Sequence, residues 1–236
     1  MGAVSLTGVT QQFGELRALD GLSVDFAQDR VTGLVGRNGA GKSSLLNLVS
    51  GRTRATSGSV RVLGEDPHEN RRVLAHVCAV TEDQPYPARY TVQSCMHAAA
   101  LLHPRWDRAL AGRLLELFAL PRGQRVGGLS RGQRSAVGVV IALAARAPVT
   151  LLDEPYAGLD TVARQQFYAE LGRELGARPR TVIFSSHLVD EVSHLLDEVV
   201  IVDRGRVVVA GPASEVPDLA VALARHRTDA DEEGSR

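Results

Sequence analysis

Residues 36–43, GRNGAGKS, constrain this chain more than any other stretch, with Val31, Leu34 and Val35 before them and Leu45, Leu46, Leu48 and Val49 after. That order predicts a buried strand, a glycine-rich turn and a helix start, an arrangement that holds phosphate. Gly36, Gly39 and Gly41 permit backbone conformations that a Cβ forbids, so successive N–H groups can curl around an anion at the positive end of the helix. Lys42 is placed to reach the β- and γ-phosphates of a nucleotide, and Ser43 to offer its hydroxyl to a magnesium ion. Of the 27 lysines and arginines, Lys42 is the only lysine. A chain that otherwise writes positive charge as arginine keeps a compact ammonium at this position.

The remaining composition narrows the setting. With 236 residues the chain has room for one large domain or two intimate subdomains. Basic and acidic residues number 27 each and form no block of like charge, which disfavours nucleic acid as a partner. Cys78 and Cys95 lack metal-ligand or redox spacing and make no disulfide framework, as expected of a reducing, cytosolic setting. The first residues carry no charged segment followed by an apolar one, and the longest apolar run, residues 136–145, is far too short to span a bilayer.

Taken in order, residues 4–27 read as short strands with a turn around Gly14, and Phe13 between them either stacks on an adenine ring or fills the core. A helix over about 42–49 ends near Gly51, a strand follows at SGSVRVLG, and HVCAV is a buried strand running into Thr81, Glu82, Asp83 and Gln84. Residues 85–87 punctuate a loop with proline and are expected to expose Tyr86, and further on Tyr90, as anchors for a partner helix. From Thr91 to Leu120 the period becomes helical: Val92, Met96, Ala99 and Leu102 share one face, and Trp106, Leu110, Leu114, Leu117 and Phe118 another. His97 and His103 in this insert have no carboxylates at metal spacing and read as solvated or packing side chains.

LSRGQ at 129–133 then opens a strongly apolar helix, with Ser130 as N-cap and Gly132 allowing close backbone approach. VTLLDEP is a buried strand with Asp153 and Glu154 at its carboxyl end, where open α/β sheets place their ligands. Asp153 can hold magnesium through water, and Glu154 is placed as general base on a water attacking a γ-phosphate. EVVIVDRGRVVVAGP reads as a closing hairpin, and DADEEGSR as a disordered end.

A phosphate loop, LSRGQ, LLDEP, AGLD at 157–160 and a strand ending at His187, in that order, resemble the nucleotide-binding domain of ABC transporters from Phe13 to about Gly211. The resemblance implies an α/β fold: a P-loop NTPase core of mixed sheet flanked by helices, an N-terminal antiparallel β subdomain and a helical insert over about residues 84–135. It implies a single ATPase domain over 1–215, with a short helix and tail over 216–236 and no regulatory domain. Gly36, Asn38, Gly39, Ala40, Gly41, Lys42, Ser43 and Ser44 would bind ATP, with Phe13 on the adenine. Ser130, Gly132, Gln133 and Asp160 would complete the nucleotide site of a second ATPase subunit in a head-to-tail homodimer or heterodimer. Glu154, His187 and Lys42 would be catalytic, and Ser43, Asp153 and Glu82 would serve Mg2+. Separate integral-membrane permease subunits would hold the protein at the inner face of the cell membrane. Arg131 stands where the signature usually has glycine, and Glu82 falls where the family has a glutamine, with Gln84 the rival two residues on. The alternative is a non-transport ABC ATPase acting with soluble partners, although the coiled coils or paired domains of those types are missing. A P-loop kinase or GTPase gives no reason for LSRGQ before LLDEP.

Overall fold

The computed structural model describes residues 2–81, 84–186 and 189–216. Alternating apolar residues Val4, Leu6 and Val9 point inward from β1 (Val4–Phe13), and a register shift between Leu6 and Val9 carries the alternation across Gly8. β1 pairs antiparallel with β2 (Leu16–Phe26); both strands are longer than their sequence pattern suggested, and they meet in a tight hairpin at Gly14. The chain then forms β3 (Val31–Val35), α1 (Lys42–Val49) and β4 (Ser57–Val62), which returns to the other edge of β1. This three-stranded sheet is the expected antiparallel β subdomain.

Helix α2 (Arg71–Leu74) leads to β5 (Val77–Thr81), followed by α3 (Val92–Leu102), α4 (Arg108–Leu117) and α5 (Arg131–Ala145). Next come β6 (Val149–Asp153), α6 (Thr161–Ala177), β7 (Thr181–Ser185) and the hairpin β8 (Glu198–Asp203) and β9 (Arg206–Pro212). The second sheet runs β5-β6-β7-β3-β8-β9, parallel except for β9. Every residue of β3, β6 and β7 is buried, because helices and the smaller sheet cover both faces. Leu152, Val182 and Phe184 pack toward α5 and α6, whereas Leu34, Leu151 and Ile183 pack toward α1 and the antiparallel sheet. The carboxyl ends of β3, β6 and β7 therefore meet between the two layers, where the phosphate loop begins.

Two expectations for the insert change. Leu102 does not share the buried face of α3, which is made by Val92, Cys95, Met96 and Ala99; Leu101 is 89% and Leu102 67% exposed at the end of the helix. Tyr86 turns inward against the core beside Gly138, and burial pushes its phenol up, while Tyr90 stays partly exposed. The helical period runs on to Leu102, three residues past Ala99, the last buried residue of α3, and the aromatic ring is worth more against the core than in water. Burial likewise pushes the Cys78 thiol up to about 12, so a buried, inert thiol accompanies the lack of redox spacing. Apart from Val216, the C-terminal helix and tail expected over 216–236 lie outside the described residues.

Arg146, at the C-cap of α5 with φ 46°, ties the insert to α6. Its guanidinium donates to Glu174 at 3.1 and 3.3 Å and pairs with Asp107, the N-cap of α4. All three side chains are at most 23% exposed, so removing the cation leaves two carboxylates short of their partner in a poorly solvated place. Arg146→Ala is expected to cost about 2–3 kcal/mol and to lower the thermal midpoint by roughly 5–10 °C, measured by differential scanning calorimetry. A midpoint within 1–2 °C (about the resolution of a 0.5 kcal/mol change) would show the cluster to be solvated.

Candidate functional site

The loop after β3 is shaped by two close approaches. A Cβ on Gly36 would lie 2.3 Å from the Val202 carbonyl oxygen, on the closing hairpin. Gly41, at φ 108°, caps α1, and a Cβ there would lie 2.6 Å from the Ala18 carbonyl oxygen of β2. The loop thus runs between β2 and β8, and Gly205 N–H donates to the Ala40 carbonyl. Arg37, Asn38 and Gly39 are exposed at its crest, Ala40 is buried beneath it, and α1 starts at Lys42 with Ser43 exposed and Ser44 half-buried. The first N–H groups of α1 therefore open toward the crest, the arrangement that receives an anion.

Lys42 is 8% exposed, and its Nζ donates to the Gly36 carbonyl at 2.6 Å and the Arg37 carbonyl at 3.2 Å. Burial holds its ammonium below the ordinary lysine value, while the charges of Glu154 and Asp153 pull it back up. Those two carboxylates end β6, one strand beyond β7. Asp153 is buried and makes no hydrogen bond or ion pair among the described residues. Its register partner on β7, Ser185, buries a hydroxyl that also lacks a partner there. The Asp153 carboxylate, whose charge reaches Lys42, and the Ser185 hydroxyl beside it form an oxygen-only donor set, which suits a hard divalent cation such as magnesium. No cluster of three or more histidine, cysteine or acidic side chains at metal-binding spacing occurs among the described residues.

Glu154 adopts φ 49°, a left-handed conformation that swings its carboxylate out of the strand direction. Tyr156 donates its hydroxyl to Glu154 Oε2 at 2.5 Å, and the same hydroxyl lies 2.8 Å from Ser186 Oγ. Sequence reasoning missed Tyr156 and Ser186; the available signal was a tyrosine in the turn just after a buried strand, whose hydroxyl must find a partner.

The remaining predicted residues fall into a second group. Ser130 accepts from Gln133 N–H at 3.1 Å, and Gln133 Oε1 accepts from Ser130 N–H at 3.0 Å, a complete capping box on α5. The Ser130 hydroxyl keeps its own proton to donate outward. Gly132 fits because a Cβ would meet the Gly158 carbonyl oxygen at 2.4 Å, and Ser135 donates to the Ala157 carbonyl. Asp160 caps α6 through Ala163 N–H at 2.8 Å. Among the described residues, Ser130, Gly132, Gln133 and Asp160 make no hydrogen bond to residues 36–44, so no hydrogen bond joins the two groups within the chain. Phe13, 49% exposed at the end of β1, is not a core side chain, and its ring is open to a planar ligand. Arg131 lies along Gly158, so its side chain runs beside the 157–160 loop. Gln84 Oε1 accepts from Arg52 at 3.2 Å and from Thr81 at 3.3 Å. Glu82 and His187 lie outside the described residues.

Comparison with known proteins agrees with this geometry. A family model described as ABC transporter matches residues 19–157. The chain is 33% identical to the phosphonates import ATP-binding protein PhnC of Thiobacillus denitrificans, over 92% of this chain and 90% of that protein. It is 35% identical to an ABC transporter ATP-binding protein of Streptomyces avermitilis over 86% of this chain, which spans 37% of that protein. Among solved structures, an ATP-binding subunit of an ABC transporter superposes with a TM-score of 0.82 at 20% identity, over 94% of each chain. A dimeric bacterial ABC transporter cassette superposes with a TM-score of 0.79 at 19% identity, covering 89% of this chain and 98% of that one.

Because the Gly36 contact is backbone against backbone, no rotamer change can relieve it. Gly36→Ala is expected to lower stability by about 1–3 kcal/mol and to weaken ATP binding at least tenfold, read by calorimetry and by titration with a fluorescent ATP analogue. Unchanged affinity would mean that the loop can move off the closing hairpin at no cost.

Proposed function

This chain belongs to the ABC transporter family, and from that membership we propose that it hydrolyses ATP at sites shared between two such subunits and drives substrate movement through separate membrane chains. It is an ATPase, and its relatives serve as ATP-binding subunits of transporters. The observation that carries the composite site is the separation of the two half-sites. The phosphate loop with Lys42, Asp153 and Glu154 forms one, and the capped start of α5 with Ser130 and Gln133 the other. A second subunit set head to tail brings the outward-facing Ser130 hydroxyl and the first N–H groups of α5, a positive helix end, onto the γ-phosphate. ATP then joins the subunits, and its hydrolysis releases them.

In this reading the loop N–H groups hold the β- and γ-phosphates, and Lys42 turns from its two carbonyl partners to the phosphate oxygens. Phe13 stacks on the adenine. Ser43 and Asp153 hold magnesium, which when bound neutralises phosphate charge. Glu154 accepts the proton of the attacking water, one carboxylate oxygen held by Tyr156. His187 is assigned to the γ-phosphate and Glu82 to the magnesium side. Support for Glu82 over Gln84 comes from the amide oxygen of Gln84, already engaged by Arg52 and Thr81.

A groove of about 720 Å³ lies between β5 and the insert, lined by Leu74, Tyr86, Tyr90, Leu101, Leu102 and Ile141. Its apolar walls and exposed leucines suit the apolar side of a cytoplasmic helix of an integral-membrane permease, and we assign that partner to it. In this reading the protein sits at the inner face of the membrane through its partner. Among the described residues no helix is long and apolar enough to cross a membrane.

Lys42→Ala is expected to reduce steady-state ATP turnover to background. Glu154→Gln should keep ATP binding, lose turnover and accumulate a closed dimer in MgATP, read by size-exclusion chromatography. Near-normal turnover in either variant would remove that residue from the mechanism. Leu101→Cys, labelled with a short thiol crosslinker in native membranes, should give an adduct with an integral-membrane chain; adducts with soluble proteins alone would favour a non-transport role.

A further inference from the structure

Tyr156 is 3% exposed, and its ring cannot swing freely: it stacks on Phe184 with centroids 6.2 Å apart and meets Tyr168 edge-on at 6.3 Å. From this fixed platform the hydroxyl reaches Glu154 Oε2 at 2.5 Å and Ser186 Oγ at 2.8 Å. Glu154 N–H also donates to the Ser185 carbonyl at 3.2 Å, so backbone and side chain of the acid are both held to the end of β7. We infer that Tyr156 is a positioning residue for ATP hydrolysis, its hydroxyl tethering the Glu154 carboxylate and yoking it to Ser186 at the end of β7.

The inference rests on the reading of Glu154 as the base. The left-handed backbone at Glu154 releases its side chain from the strand direction, and the bond from Tyr156 narrows the rotamers open to the carboxylate. The tether sets the direction of Oε2 and with it the plane of the carboxylate that is to take the proton of water. A carboxylate that strains its backbone and is then clamped by a rigid phenol is a preorganised acceptor, whose value lies in alignment rather than in binding. Ser186 immediately precedes His187 in the chain, so the same hydroxyl joins the acid to the segment assigned to the γ-phosphate. The aromatic platform joins β7 to α6, whose N-cap is Asp160, and packing there sets where the phenol points.

The test is a set of three variants of the full-length chain, each read for kcat, KM for ATP, ATP affinity and thermal midpoint. Tyr156→Phe keeps the ring among Phe167, Tyr168 and Phe184 and removes only the donor. It should lower kcat roughly tenfold to a hundredfold with KM and affinity within about twofold, a split that lost packing alone would not produce. Ser186→Ala loosens one arm and should lower kcat about threefold at unchanged KM. If Tyr156→Phe fails to fold, Ser186→Ala decides, and wild-type kcat in it overturns the tether. A folded Tyr156→Phe with kcat within about twofold of wild type overturns it as well. Glu154→Gln separates the two levels: turnover retained in that variant strikes the base assignment itself, whereas an inactive Glu154→Gln beside a normal Tyr156→Phe strikes only the tether.

Discussion

A buried ammonium held by two carbonyls of its own loop is the constraint on which the rest of the chain depends. Lys42 satisfies the Gly36 and Arg37 oxygens while burial works against its charge, so the loop must keep its shape for the cation to be tolerated. That shape needs support from elements distant in sequence. β2 contributes the Ala18 carbonyl against Gly41, and the hairpin of β8 and β9 contributes the Val202 carbonyl against Gly36. Both sheets thus shape one loop, and the antiparallel layer is part of its support rather than an appendage to it.

The second organising fact is that chemistry collects at the carboxyl ends of parallel strands. β3 delivers the loop, β6 delivers Asp153 and Glu154, and β7 delivers Ser185 and Ser186. Their adjacency follows from the sheet order, which places β7 between β3 and β6. Glu154 departs from the strand in a left-handed turn, so neighbouring carboxylates leave the strand in different directions.

Legibility in the sequence followed contiguity. Residues 36–43, LSRGQ and LLDEP could be read because each is a local arrangement whose parts lie within one turn of each other, and the capping box of Ser130 and Gln133 was written in the spacing alone. Partnerships across long separations could not be read. Arg146 meets Glu174 and Asp107 only through the fold, Tyr156 meets Ser186 across β6 and β7, and Gly36 needs β8 beside it. Tyr86 was expected outside and lies inside, because a proline-rich loop sets where the backbone is exposed and leaves the direction of an aromatic ring to its neighbours. Leu102 failed in the opposite sense: periodicity describes a helix, and only packing says where its covered face stops.

The solitary lysine has a practical corollary. Its side-chain nitrogen is the sole ammonium among the side chains of the protein, and it lies under the crest of the phosphate loop. Lysine labelled with a nuclear spin would therefore yield one side-chain resonance from the whole molecule, with no assignment to make. Its chemical shift would follow the exchange of carbonyl for phosphate partners directly. Acylating reagents would likewise find one buried side-chain amine, so the rate of its modification would report how often the loop opens.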